Sequence, residues 1–326
     1  MKLENLGFAL VLAFLTGCAM QRQQLNLPQA QMTPQDEITR LHIFLDRNGF
    51  PPGKLDGYRG EFTDKALRRY ARAHGLKKAD TSEQIERQLP LRHVNPIYTF
   101  YTITAADVAR VGSVSEKVED QAKQKGLPYT SLLELVAERY HSDRAFLRAI
   151  NPGKNLNQLR VGDSVRVPNV VPFRIENLRQ NGYLIPPNPA HQKRKVFVNL
   201  KERMLQVYDH QNIIAAFPIT PGSSSIPAPR GNWKIVVIAS MPYFRYDEKM
   251  LNEGIQSETF HQLPPGPNSP VGVMWMGLNR RGIGLHGTNN PETIGRAASH
   301  GCIRLANWDA VRLSQLVSVG TPVAIR

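Results

Sequence analysis

Two cysteines, Cys18 and Cys302, are all that the 326 residues contain. No Cys-x-x-Cys pair occurs, so a structural zinc site would be short of ligands. Long apolar runs are missing as well. The uncharged stretch at residues 6–15 is about half of the roughly 20 residues that a membrane-spanning helix needs. Acidic side chains are in deficit, with Asp+Glu 27 against Lys+Arg 41 and a net charge of +14. Such a surplus attracts an acidic polymer or surface. Nucleic acid is the first partner to consider, yet no nucleic-acid motif or aromatic-studded basic stripe accompanies the charge. What remains is an ordinary globular composition, 41% hydrophobic and 21% charged, with length for two or three domains.

The N-terminus argues for export. Lys2 gives a short positive start, residues 6–15 supply an apolar core, and the run ends in Leu15-Thr16-Gly17-Cys18. This ending resembles a bacterial lipobox, which implies a lipoprotein signal peptide over residues 1–17, cleavage before Cys18 and lipidation of its thiol. Without Asp at position 19, the resemblance implies sorting to the outer membrane of a Gram-negative cell, facing the periplasm. Residues 18–32 are Gln-rich and aperiodic, and read as a tether. With Cys18 acylated, Cys302 is unpaired in an oxidising space, where a free thiol is a liability unless it has a task.

Residues 33–80 carry a small helical domain. Thr33, Pro34 and Asp36 form an N-terminal capping pattern, Ile38, Leu41, Phe44 and Leu45 share one face, and Asn48-Gly49 ends the helix. A Gly/Pro-rich loop leads to a second helix capped by Thr63, with Ala66, Leu67, Tyr70 and Ala71 inward and a stop at Gly75. The order Gly49-Phe50, Pro52-Gly53, Leu55-Asp56-Gly57, Gly60, Thr63, Ala66-Leu67, Gly75-Leu76 is similar to the peptidoglycan-binding helical domain. Residues 96–170 read as strand, helix, helix, strand: 98–104 alternates β-branched and aromatic residues, 131–140 buries Leu132, Leu135 and Val136, 143–150 stops at Asn151-Pro152-Gly153, and 159–168 closes the segment. This segment resembles a divergent LysM domain, a small α+β module implied to bind glycan strands. It departs from the pattern by about 25 extra residues after the first strand. Residues 170–189 read as a loop.

From residue 193 the periodicity turns to two. Strands are expected at 196–200, 204–208, 213–219, 233–239, 271–276 and 322–325, with one helix capped by Asn307. The expectation is a multidomain chain ending in a mainly-β, β-sandwich-like domain over 193–326. An insert at 241–270, rich in Tyr, Phe and Pro, is long enough to act as a lid.

That last domain carries the chemistry. Cys302 is a candidate nucleophile, because a thiolate attacks carbonyls well. His286, sixteen positions earlier, is a candidate base, since imidazole titrates near neutrality. Gly301 allows the backbone to approach a substrate, and the forked guanidinium of Arg304 suits a carboxylate. The stretch HGTNNPETIGRAASHGCIRLANWDA, extended upstream by PPGPNSPVGVMWMGL and GIGLHGT, resembles the active-site signature of the L,D-transpeptidases, the YkuD-type catalytic domain. The resemblance implies Cys302 as nucleophile, His286 as base and the Gly287 carbonyl as orienter of the imidazole. Ser299, His300, Gly301 and Arg304 would serve the oxyanion hole or the substrate. The implied reaction attacks the diaminopimelate–D-Ala bond of a peptidoglycan tetrapeptide stem, forms a thioester and passes the acyl group to a second stem as a 3→3 crosslink. No metal or organic cofactor is required. Two other readings share the residues: a carboxypeptidase or endopeptidase that uses water as acceptor, and a wall-anchoring lipoprotein with an inactive catalytic domain.

Overall fold

The helix predicted at Thr33 begins where its capping pattern places it. Thr33 Oγ1 accepts the Asp36 N–H at 3.1 Å, and the Asp36 carboxylate accepts the Thr33 N–H in return. A computed structural model describes residues 32–76, 80–222, 226–253, 255–296 and 301–326. The elements that follow are α1 (Pro34–Arg47), α2 (Glu61–Ala73), α3 (Ser82–Glu86), β1 (Tyr98–Thr102), α4 (Ala105–Val108), α5 (Val118–Gln121), α6 (Leu132–Arg139), α7 (Arg144–Ala149) and β2 (Ser164–Pro168). The C-terminal part holds β3 (Tyr183–Leu184), β4 (Arg194–Asn199), β5 (Met204–Asp209), β6 (Asn212–Pro218), β7 (Gly231–Ser240), β8 (Phe244–Tyr246), α8 (Glu248–Glu253), β9 (His261–Leu263), β10 (Met274–Leu278), β11 (Gly284–His286), β12 (Ile303–Arg304), α9 (Asn307–Ser314) and β13 (Pro322–Ile325). Cys18 and the segment proposed as signal and tether up to residue 31 lie outside the described residues, as do Ser299 and His300.

The C-terminal part is mainly β. Its mixed sheet runs β12-β11-β10-β7-β13-β4-β5-β6, with β3 added against β7. The sheet curls until its two edges meet. Beyond β6, Thr220 exchanges both backbone hydrogen bonds with Arg304 of β12, each 2.9 Å. Alternation places Leu285, Ile303 and Leu305 in the core on one face, together with Val196, Leu205, Phe217, Ile238 and Met276. His286, Cys302 and Arg304 fall on the other face. Burying a side chain such as Leu285 contributes roughly 1.5–3 kcal/mol, so this alternation fixes which residues face the chemistry.

The upstream elements share a core with the sheet. Leu41, Phe44, Leu67, Leu135, Val136 and Val165 form one apolar cluster with Ala216, Val273 and Trp308. The edge strand β6 is covered by the turn after α1, where Ala216 N–H donates to Gly49 O at 3.0 Å. Asp46 of α1, fully buried, accepts both forks of Arg312 from α9 at 2.8 and 2.9 Å and bonds His141 Nδ1 at 3.0 Å. Burial alone would raise the Asp46 carboxyl, but His141 and Arg312 outweigh it and hold the group well below its ordinary range.

Four local expectations change. Helix α2 starts at Glu61 with Gly60 as its cap, and Thr63 sits inside the first turn, accepting the Gly60 N–H at 3.3 Å. In α6 the buried face includes Leu133, and Leu132 is only half-buried. The loop at 170–189 contains β3, because Tyr183 and Leu184 find a free edge opposite Ser240 and Ala239. Helix α9 is capped by Ala306 without a side-chain bond, since the Asn307 side chain is committed elsewhere.

Candidate active site

Strands β11 and β12 are parallel and in register, pairing His286 with Arg304 and Leu285 with Ile303. Cys302 lies two residues before Arg304 and therefore points to the same face as His286 and Arg304. The loop from 287 to 301 thus returns the chain to the strand beside its own start. Gly301 takes a φ of +90°, which favours glycine, and no backbone atom crowds the position within 3.4 Å.

His286 is buried, and its Nδ1 bonds the carbonyl of Gly287 at 2.6 Å. A carbonyl can only accept, so Nδ1 carries the proton and Nε2 presents its lone pair. Burial pushes the imidazole down to about 4; the Gly287 carbonyl opposes this and Arg304 reinforces it. Cys302 is half-buried, and its Sγ donates to Gly282 O at 3.4 Å. Burial pushes this thiol up to about 11, against a Gly284 N–H and the Arg304 charge that both favour the thiolate. The two groups are therefore neutral at pH 7.

Several supporting residues carry no motif of their own. Trp275 is the cross-strand partner of His286, and the rings stack with centroids 5.5 Å apart at 24°. The slot for its indole is made by a facing glycine pair: a Cβ at Gly284 would come within 2.7 Å of the Trp275 ring, and one at Gly277 within 2.9 Å. Thr220, fully buried, accepts the Gly295 N–H at 2.9 Å and donates to Thr293 O at 3.0 Å, which ties the active-site loop to the end of β6. Phe62 of α2 packs on Gly295 so closely that a Cβ there would lie 2.2 Å from its ring. Arg144 of α7 pairs with Glu292 at 3.0 Å. The upstream helices thus grip the loop that leads to Cys302.

The insert at 241–270 divides in two. Its second half is buried, with the Pro265 carbonyl accepting the Leu127 N–H at 3.0 Å and the Asn268 N–H donating to Leu127 O at 3.1 Å. Its first half carries α8, whose Met250 side chain occupies the space above Gly282, the residue that receives the Cys302 thiol. Among the described residues no group of three or more His, Cys, Asp or Glu is placed to hold a metal ion. A cavity of about 780 Å³ lies between residues 123–129 and 265–267, with Arg110, Lys123 and Lys125 on its wall, but neither His286 nor Cys302 lines it.

The model of the YkuD family, described as the L,D-transpeptidase catalytic domain, matches residues 193–325. YkuD of Bacillus licheniformis is 30% identical over 193 residues, covering 59% of this chain and 92% of the relative. YqjB of Bacillus subtilis is 31% identical, covering 42% of this chain and 74% of the relative. Among solved structures, an L,D-transpeptidase from Mycobacterium smegmatis superposes with a TM-score of 0.34 at 21% identity, over 41% of this chain and 58% of that one. With the family model on the curled sheet and a 30%-identical relative matched over nearly its whole length, the chain belongs to the YkuD family of L,D-transpeptidase catalytic domains.

Proposed function

We propose that this protein is a cysteine-dependent peptidoglycan L,D-transpeptidase, with Cys302 as nucleophile and His286 as general base. The observation that carries the reading is the parallel β11–β12 register, which sets His286 opposite Arg304 and puts Cys302 on the same face, while Gly287 O fixes the imidazole with Nε2 unprotonated. As Sγ adds to the carbonyl carbon of the diaminopimelate–D-Ala amide, the thiol proton passes to Nε2. The charge that develops on oxygen is met by the N–H groups of Gly301 and Cys302, helped by Ser299 and His300. Collapse expels D-Ala, whose amine takes the proton from His286, and leaves a thioester on Cys302. The side-chain amine of a second stem then attacks the thioester, forming the 3→3 amide and restoring the thiol. Arg304, half-buried beside the thiol, supplies a fixed positive charge for a stem carboxylate. The surplus of basic residues suits the carboxylates of the wall polymer.

In the same reading Cys18 is lipidated, the protein faces the periplasm from the outer membrane, and the segments at 33–80 and 96–170 bind the wall. Incubating the full-length protein with disaccharide-tetrapeptide and resolving products by mass spectrometry tests the function. A crosslinked dimer with loss of D-Ala supports transfer. Loss of D-Ala alone converts the reading to hydrolysis, and no turnover at all would leave only an anchoring role.

A further inference from the structure

We propose that Glu138, in the segment upstream of the catalytic domain, is a positioning residue for His286 that acts through Asn307. The inference rests on the assignment of His286 as the base. Asn307 lies in a cradle formed by two glycines: a Cβ at Gly272 would come within 2.0 Å of its Oδ1, and one at Gly287 within 2.2 Å. In that cradle Oδ1 accepts the N–H groups of Val273 and Thr288, each at 3.2 Å. Thr288 directly follows the His286-Gly287 pair, and Val273 precedes β10, on which Gly287 N–H bonds Met274 O at 3.1 Å. One side-chain oxygen thus ties the Gly287–Thr288 peptide, whose carbonyl orients the imidazole, to the segment that enters β10.

The amide of Asn307 can fill this cradle in two ways. Turned by 180°, its NH2 would face two backbone N–H groups, donor against donor. The acceptors on the far side then hold the amide in the orientation that the two backbone N–H groups select. Nδ2 donates to Glu138 Oε2 at 3.0 Å and, less closely, to Pro267 O at 3.3 Å. Glu138 is itself held by Tyr129, whose hydroxyl bonds Oε1 at 2.8 Å. Glu138, Tyr129 and Asn307 are all buried, so water does not substitute for a missing partner. The groups that face Glu138 are Tyr129, Asn307 and Glu134, and the neighbouring Arg139 is turned to Asp107 and Glu176. Burial pushes the Glu138 carboxyl up to about 8, with the bonds from Tyr129 and Asn307 opposing and Glu134 adding to the shift, so it works as a neutral acceptor. A neutral amide of the same length can do the same.

The test compares Glu138→Gln with Glu138→Met in the full chain, reading kcat and KM for D-Ala release together with the His286 tautomer by long-range 1H–15N NMR. The His286 signal is identified by its loss in His286→Gln. The expected result is near-native kcat and a single Nδ1–H tautomer for Glu138→Gln. For Glu138→Met, kcat should fall at least about tenfold with KM within about twofold, as a base displaced by a fraction of an ångström loses alignment, and the tautomer signal should become mixed. Native kcat and tautomer in Glu138→Met overturn the proposal. So does a loss in Glu138→Gln equal to that in Glu138→Met. If Glu138→Met does not fold, Glu138→Asp, one methylene too short to reach Nδ2, is judged by the same outcomes. Should the wild type show no turnover while the tautomer still responds to position 138, the functional reading fails and the positioning role stands.

Discussion

Replacing Gly287 by alanine should disable the site by displacing Asn307. The new Cβ would lie 2.2 Å from Asn307 Oδ1, well inside ordinary van der Waals contact, so the amide must withdraw by about an ångström. Its bonds from Val273 and Thr288 are already 3.2 Å long and would be lost. Each buried N–H left without a partner costs about 1–3 kcal/mol, so the stability loss should be roughly 2–6 kcal/mol. Displacement of His286 by about an ångström should lower kcat by about 100-fold. The effect runs through one contact, so a double-mutant cycle isolates it. With Asn307→Ala already present, the clash and both bonds are gone, and Gly287→Ala should then cost less than about 1 kcal/mol. The coupling should lie at the upper end of the ~0.5–3 kcal/mol seen for residues in contact. Urea denaturation and D-Ala release supply the two readouts. Equal losses from Gly287→Ala in both backgrounds would refute the reasoning.

Other outcomes follow from the same geometry. Glu138 and Asp309 are both pushed up to about 8, chiefly by burial, so the folded state keeps protons that the unfolded chain releases from about pH 4 upward. Their contribution to stability is complete below that point and is lost as pH rises to about 8. The urea midpoint should therefore fall between about pH 5 and 8 and level off above that, with a shallower slope in Glu138→Gln. Alkylation of Cys302 by iodoacetamide, followed by peptide mapping, should accelerate steadily from pH 7 to 10, because the resting thiol is protonated; a plateau beginning near pH 6 would instead reveal a preformed thiolate–imidazolium pair. Trp275→Leu removes the ring stacked on His286 and should lower kcat about 3–10-fold, equivalent to the ~0.5–1.5 kcal/mol of an aromatic pair, with the melting temperature as control for folding.

The strands and the candidate pair His286 and Cys302 are readable because their signals are local. Period-two alternation marks β4 to β7 directly, and His286, Gly301 and Cys302 stand in one short stretch. Strands β11 and β12 escaped notice because they are three and two residues long, and only their pairing makes them strands. The cap assigned to Asn307 was a sound local reading, since Asn before a helix usually caps it. Long-range bonds to Val273, Thr288 and Glu138 claimed the side chain instead. Glu138 gave no signal at all: on an amphipathic helix a glutamate reads as solvated, and only the docking of α6 against α9 buries it. The grip of Phe62 on Gly295 was equally invisible, because nothing in either segment announces the other.

The central claim is that Cys302 becomes acylated by the stem peptide. Acid-quenching the protein shortly after mixing with disaccharide-tetrapeptide, then measuring intact mass and mapping the modified peptide, tests it most directly. The expected result is a mass gain equal to the disaccharide-tetrapeptide less one free D-Ala, located on Cys302 and absent from Cys302→Ala. Release of D-Ala by Cys302→Ala, or turnover by the wild type with an adduct on some other residue, would contradict it.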